Sequence, residues 1–205
     1  MCSAAVAAGA ASLVVTLAGC GSDTDSPSAS TTSSPVSDVF TPPSLTQTAP
    51  EDAPCPMAAP ADTGAPEWTL SGTTGSVAVT GSTDKAAPRV DVEAPFSVTE
   101  TQVHTLKPGD GPVVADTATV LVCYMGVNGR DGSVFDSSYS QGAPVDFPLD
   151  GVVPGFQKAI AGQKVGSTVA VAMVPADGYP EGQPAAGIQP GDTLVFAIKI
   201  LDASS

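Results

Sequence analysis

The sequence predicts an α+β fold, in which an antiparallel sheet wraps around one short helix and a disordered arm precedes both. From Trp68 onward, short runs of Val, Ile, Leu and Phe are separated by Gly and Pro, which is typical of antiparallel strands. From Gly21 to Pro66, Ser, Thr, Pro, Ala and Asp dominate. Such a segment buries too little apolar surface to offset its ordering entropy, so we expect one folded domain behind a flexible arm.

The strands are predicted from short apolar runs with alternating polarity. Alternate residues of 119–124 and 194–200 would face a core. The predicted strands are Ser76–Thr80, Phe96–Lys107, Thr117–Gly126, Val145–Pro148, Thr168–Pro175 and Thr193–Leu201. Two N-terminal segments are expected to pair with the sheet edge: Gly75–Val79, which overlaps the first of these strands, and Arg89–Val92. Trp68 is expected to mark the start of ordered structure.

One helix is predicted over Gly155–Ala161. Phe156, Ala159 and Ile160 fall at positions i, i+3 and i+4, which places them on one face that can lie against a sheet. Gly162 follows as a C′ residue and would end the helix.

The charge is strongly acidic, with 21 Asp and Glu against 7 Lys and Arg. A surface of this kind repels phosphate groups, so nucleic acid and anionic lipid surfaces are excluded as partners. The ordinary role of such acidity is to maintain solubility.

The N-terminal region resembles a bacterial lipoprotein signal. Residues 3–19 are small and apolar, and Leu17-Ala18-Gly19-Cys20 resembles a lipobox. The resemblance implies cleavage before Cys20, a lipid on that cysteine, and an extracytoplasmic protein anchored to the cell membrane. A signal usually begins with basic residues, and none precedes Cys20, so we expect a start site further upstream. The alternative is an unprocessed hydrophobic N-terminus.

Two cysteines remain once Cys2 leaves with the signal and Cys20 carries the lipid. In an oxidising compartment, Cys55 and Cys123 are expected to form a disulfide, with free or mixed thiols as the alternative. We expect no metal site, because these cysteines and His104 offer no ligand spacing. A nucleophilic Cys123 is disfavoured, since His104 lies in another stretch and Cys123 sits in an apolar run.

Four motifs occur in order: Tyr124-x-Gly126, Phe135-Asp136-Ser137-Ser138, Val152-Val153-Pro154-Gly155-Phe156 and Thr193-Leu194-Val195-Phe196. Together they resemble the FK506-binding-protein (FKBP) family of peptidyl-prolyl isomerases, over 104–201. The resemblance implies a half-barrel sheet curled around the helix, an apolar pocket between them, and no cofactor. With the lipobox resemblance, it divides the chain into a signal at 1–19, an acylated cysteine and linker at 20–67, an N-terminal β extension at 68–103, and an isomerase domain at 104–205.

The family's site residues carry over to matching positions here. Tyr124, Asp136 and Tyr179 would be catalytic, with Tyr179 donating its hydroxyl to a substrate carbonyl and Asp136 accepting. The substrate-binding positions would be Phe135, Val145, Val152, Val153, Phe156, Ile188 and Phe196, with Phe156 in place of the usual tryptophan at the pocket floor. Taken without the family pattern, the aromatic residues and valines would be core, and Asp136 a turn or cap residue.

The function implied is catalysis of cis-trans exchange at X-Pro bonds in extracytoplasmic polypeptides. Exchange is slow because rotation breaks amide resonance, and an apolar pocket that favours the twisted amide lowers the barrier without covalent chemistry. We expect a monomer, with FK506 or rapamycin as further ligands. The alternatives are a catalytically weak binding or chaperone module, and a structural envelope lipoprotein.

Three departures from the family pattern favour weak or altered catalysis. The segment Tyr139-Ser140-Gln141 lacks the arginine that usually pairs with the aspartate, so Asp136 must be held by neutral donors. Val145 stands where an aromatic is expected, which would widen the pocket. The loop after Tyr179 reads Pro-Glu-Gly-Gln-Pro rather than a glycine-rich run.

Overall fold

The structure, a computed structural model, describes residues 54–60 and 64–204. The predicted signal peptide, Cys20 and most of the linker lie outside these residues. Within them, nine strands and one α-helix are formed. They are β1 Trp68–Ser71, β2 Thr74–Thr80, β3 Arg89–Ser97, β4 Gln102–Lys107, β5 Thr119–Asn128, β6 Val134–Ser137, β7 Val145–Pro148, α1 Pro154–Ile160, β8 Thr168–Met173 and β9 Leu194–Ser204.

A six-stranded antiparallel sheet has the order β4-β8-β9-β5-β6, with β7 paired to the free part of β5. Helix α1 packs against one face of this sheet and buries Phe156, Ala159 and Ile160, as its spacing predicts. Gly162 follows with φ +80, a value that favours glycine, and lies where the C′ residue was predicted. The predicted α+β class, a curled antiparallel sheet around one short helix, is confirmed.

A second sheet, of order β1-β2-β3, covers the other face of the larger one. Val77, Val79 and Phe96 from the small sheet are buried in one apolar cluster with Ala170 and Ala197 from β8 and β9. The prediction that these N-terminal segments pair with the sheet edge is therefore wrong. The small side chains on β8 and β9 leave a flat apolar face, and a second sheet packed face to face buries it.

Several strand boundaries differ from their predictions. The predicted strand Phe96–Lys107 is two strands, because the chain leaves the small sheet at Ser97 and enters the large one at Gln102. The motif beginning at Phe135 forms a short edge strand, β6, which the sequence did not distinguish from a turn.

Cys55 and Cys123 form a disulfide, as predicted. Both cysteines are fully buried, and the backbone N–H of Ala87 donates to the carbonyl of Ala58 at 2.8 Å. The chain therefore packs against the domain already at Cys55, ahead of the start predicted at Trp68, because the disulfide holds this end of the linker there.

Candidate active site

A pocket of about 390 Å³ opens between the large sheet and helix α1. It is lined by residues from β5, β6, β7, α1 and β9, from the segment between β7 and α1, and from the loop after β8. The lining residues are Tyr124, Phe135, Asp136, Phe147, Gly151, Val152, Val153, Phe156, Tyr179 and Phe196.

The floor of the pocket is aromatic. Phe156 and Phe196 are each only 5% exposed, and their ring centroids lie 5.2 Å apart with planes at 85°. Phe135 meets Phe196, and Phe147 meets Phe156, in similar edge-to-face contacts at 5.5 and 5.3 Å. This arrangement places the positive edge of one ring against the negative face of the next, so the floor is both apolar and rigid.

Gly126 explains why the Tyr-x-Gly motif contains glycine. A Cβ at this position would lie 2.6 Å from Phe135 Cζ and 2.8 Å from Phe196 Cε1. Any larger residue would therefore push the two rings out of the floor.

The polar part of the pocket is a hydrogen bond between neighbouring strands. The Tyr124 hydroxyl donates to Asp136 Oδ2 at 2.6 Å, and the pairing of Gly126 with Asp136 brings the two side chains into reach. Burial, and then the bond to Asp136, raise the pKa of Tyr124 well above its usual range. The hydroxyl therefore stays protonated and serves Asp136 as the neutral donor that the missing arginine makes necessary.

Ser138, in the turn directly after β6, holds the backbone of this pair in place. Its Oγ accepts the backbone N–H of Tyr124 at 2.9 Å, and the residue is 2% exposed. The serine two positions after Asp136 thus holds the end of β6 against β5. The sequence motif contains Ser138 but does not indicate that its side chain binds the backbone of Tyr124.

Tyr179 forms a separate wall of the pocket, on the loop that follows β8. Two residues earlier, Asp177 accepts two hydrogen bonds from Lys158 Nζ, at 2.7 and 2.8 Å. The Lys158 ammonium on α1 lowers the pKa of Asp177 below its usual range. This ion pair ties the start of the loop to the helix below the pocket.

Two predicted substrate-binding residues lie outside the lining. Ile188 is 2% exposed and packs inside the main core, where it supports the loop rather than the ligand space. Val145, the first residue of β7, is 37% exposed and is absent from the pocket lining. The prediction that the pocket lacks an aromatic residue at this place is wrong. Phe147, two residues further along the same face of β7, supplies a ring to the pocket.

The other candidate chemistries find no support in the described residues. Cys123 is bonded and is not a free thiol, and His104 stacks on Trp68 with ring centroids 5.6 Å apart. Among residues 54–60 and 64–204, no group of three or more His, Cys, Asp or Glu could hold a metal ion. No helix in this part of the chain is long and apolar enough to cross a membrane.

Comparison with known proteins bears on this pocket directly. A family model described as FKBP-type peptidyl-prolyl cis-trans isomerase matches residues 111–201. An FK506-binding protein of Streptomyces anulatus is 33% identical over 119 residues, which are 56% of this chain and 94% of that relative. The chain belongs to the FKBP-type peptidyl-prolyl cis-trans isomerase family. All the residues that line the pocket fall within the part that matches the family.

Larger members of the family also match this chain. The FKBP-type isomerase FkpA of Escherichia coli K12 is 38% identical over 100 residues, and this chain spans only 36% of its length. The crystal structure of FkpA from Escherichia coli aligns with a TM-score of 0.46 at 35% identity, covering 51% of this chain and 48% of that one.

Proposed function

We propose that this chain is a peptidyl-prolyl cis-trans isomerase that acts on proline-containing polypeptides outside the cytoplasm. The observation that carries the proposal is the aromatic floor around Phe156, bordered by the hydrogen-bonded pair Tyr124–Asp136 and by Tyr179. Membership of the isomerase family supports the same reaction.

The reaction needs only selective binding of a twisted amide. Planar X-Pro amides interconvert over a barrier near 20 kcal/mol because rotation removes the resonance of the C–N bond. A twisted amide carries less charge on its oxygen, so its transfer from water to an apolar pocket costs less than transfer of the planar form. A dry pocket therefore lowers the barrier without any covalent step.

The lining residues divide this work. The prolyl ring would rest on Phe156 and Phe196, between Phe135 and Val153. Asp136, held by Tyr124, would present a carboxylate at the pocket wall, and Tyr179 would donate its hydroxyl to a substrate carbonyl. Because one chain supplies every lining residue, we propose that the isomerase acts as a monomer, and that FK506 or rapamycin competes for the same pocket.

The activity is tested by measuring cis-trans exchange of a short X-Pro peptide with the wild-type chain and with Asp136→Ala and Tyr179→Phe. We expect the wild type to accelerate exchange and both variants to lose most of this effect. Asp146→Asn is the matched control, because Asp146 lies on β7 but outside the lining. A folded wild type that binds the peptide without accelerating exchange would overturn the isomerase proposal in favour of a binding module.

We propose in addition that Cys20 carries a lipid that anchors the protein to the outer face of the cell membrane. The proposal is supported by the apolar stretch 3–19 followed by Leu17-Ala18-Gly19-Cys20 and then a polar segment. A lipid chain contributes about 0.8 kcal/mol per buried CH₂, and stable anchoring takes more than one chain.

The anchor is tested by labelling cells with radioactive palmitate and fractionating them. Wild type and Cys2→Ala should both carry label and sediment with membranes, whereas Cys20→Ala should carry none. Equal labelling of the Cys20→Ala variant would contradict a lipid at this position.

A further inference from the structure

The loop that carries Tyr179 ends at a buried carboxylate. We call residues 177–192 the wall loop. Asp192, its last residue, has a side chain that is only 6% exposed. A carboxylate at this depth is costly unless polar partners surround it, so its contacts indicate what holds the loop in place.

Three groups donate to Asp192. They are Asn128 Nδ2 at 2.7 Å, the backbone N–H of Gln189 at 2.8 Å, and Arg130 Nε at 3.2 Å. Asn128 is fully buried at the end of β5, and Arg130 belongs to the turn between β5 and β6. The carboxylate thus joins the wall loop to a turn on a different part of the sheet.

Arg130 reaches the wall loop at a second point. Its Nη2 donates to the carbonyl of Gly187 at 3.1 Å, while its own backbone N–H donates to Asn128 Oδ1 at 2.9 Å. A guanidinium presents several donors in a fixed plane, so one side chain spans Asp192 and Gly187 at once. The donors of a lysine ammonium all lie on one nitrogen, so they do not span two acceptors in this way.

Backbone hydrogen bonds pass this restraint on to Tyr179. Gln183 and Ile188 exchange two backbone hydrogen bonds, at 2.9 and 3.1 Å, which closes the loop next to Gly187. The N–H of Gly182 then donates to the Tyr179 carbonyl at 2.9 Å. The contacts of Arg130 with Asp192 and Gly187 are therefore connected to Tyr179 by a short series of hydrogen bonds.

We propose that Arg130 is a positioning residue that, through Asp192 and Gly187, fixes the wall loop and so determines which residue before the proline the pocket accepts. The proposal rests on the proposed function. The floor binds the prolyl ring, so the preceding residue must pass the rim. Tyr179 is the lining residue that the wall loop carries, and no strand or helix holds it. Loosening the loop lets larger residues pass.

The test compares the full wild-type chain with Arg130→Ala, Arg130→Lys and Asp131→Asn. Asp131 is the matched control, because it also pairs with Arg130, at 2.9 Å from Nη1, but makes none of the contacts to the wall loop. Three X-Pro peptides with Ala, Leu or Phe before the proline serve as probes. For each variant, kcat/KM for exchange, the binding constant from an NMR titration, and amide hydrogen exchange at Gln183, Ile188 and Gln189 are measured.

In Arg130→Ala we expect the ratio of kcat/KM between the best and the worst of the three peptides to fall about fivefold, mostly through changes in KM. We also expect the amides of the wall loop to exchange with solvent about tenfold faster. Arg130→Lys should fall between wild type and Arg130→Ala, and Asp131→Asn should match wild type. Unchanged preference and protection in Arg130→Ala would overturn the proposal. A uniform fall in activity with unchanged preference would also overturn it, since that indicates a purely structural role.

The binding constants keep this test separate from that of the proposed function. If the wild type binds the peptides but does not accelerate exchange, the isomerase proposal fails, and the binding preference still decides the role of Arg130. If the wild type does not bind the peptides at all, both proposals are overturned.

Discussion

At the scale of single residues, the partners of Asp136 distinguish this pocket from the family pattern. The usual arginine near the aspartate is absent, and a tyrosine hydroxyl 2.6 Å away takes over the role of donor. A neutral donor leaves the negative charge of the carboxylate in place. The wall of the pocket therefore carries more net negative charge than one in which an arginine pairs with the aspartate.

Removing this donor should weaken catalysis without emptying the pocket. In Tyr124→Phe the ring stays, but Asp136 loses its partner and becomes free to rotate toward water. We expect kcat/KM for X-Pro exchange to fall about tenfold and the unfolding free energy to fall by about 1 kcal/mol. Tyr139→Phe is the control, since Tyr139 is buried outside the pocket lining, and its kcat/KM should not change. An equal loss in both variants would contradict a specific role for the Tyr124 hydroxyl.

Stability at alkaline pH gives an independent test of the same hydroxyl. The pKa of Tyr124 is raised above its ordinary value of 10.0 in the folded state, so its contribution is fully present below pH 10.0 and is lost as pH rises through the folded pKa. We expect the unfolding free energy to fall above about pH 10. The fall should be shallower in Tyr124→Phe, where the remaining slope comes from Tyr139, whose pKa burial raises to about 12. Equal slopes in urea titrations at pH 9 to 11 would contradict the raised pKa.

Motifs predicted most of the pocket because its residues follow fixed spacings along strands. Tyr124, Asp136, Phe156 and Phe196 all lie where their motifs place them. The sequence did not identify Phe147 as a pocket residue, because it shares a face of β7 with Val145. Alternating polarity does not show which of two residues on the same face lies next to the helix. That choice depends on where α1 crosses the sheet, which local sequence does not encode.

At the scale of elements, the small sheet β1–β3 serves the larger one as a cover. The sequence predicted its strands but not their partners. Alternating polarity is the same for a strand added at an edge and for a strand in a separate sheet packed on a face. The deciding feature is long-range, because Ala170, Ala172 and Ala197 make the outer face of β8 and β9 apolar and flat.

Phe96 tests this cover, because it is fully buried between the two sheets. Phe96→Ala should lower the unfolding free energy by about 3 to 5 kcal/mol, from lost burial and the cavity left behind. Val113→Ala is a suitable control, because Val113 is 63% exposed and its loss should change stability by less than about 0.5 kcal/mol. A Phe96→Ala variant as stable as the control would show that the two sheets do not share a core.

The disulfide is the second element-scale restraint. It closes a loop between residues 68 positions apart, so its loss should lower the unfolding free energy by about 2 to 4 kcal/mol. Cys55→Ala, Cys123→Ala and the double variant should lose the same amount, because each removes the same bond. Additive losses, or no loss under oxidising conditions, would contradict the pairing. Urea denaturation with and without reductant makes the measurement.

At the scale of the whole molecule, the disulfide and the pocket lie on opposite sides of one strand. Cys123, which holds Cys55, is adjacent on β5 to Tyr124, which lines the pocket. Successive residues of a strand point to opposite faces, so the end of the arm meets the domain behind the site.

The isomerase pocket is tested by NMR exchange of an X-Pro peptide with catalytic amounts of wild type, Phe156→Leu and Val145→Ala. Phe156 is the floor of the pocket, whereas Val145 lies on the same sheet outside it. We expect saturable acceleration by wild type and Val145→Ala, and a fall in kcat/KM of at least about tenfold in Phe156→Leu while its fold is retained. No acceleration by the folded wild type, or full activity in Phe156→Leu, would contradict this expectation.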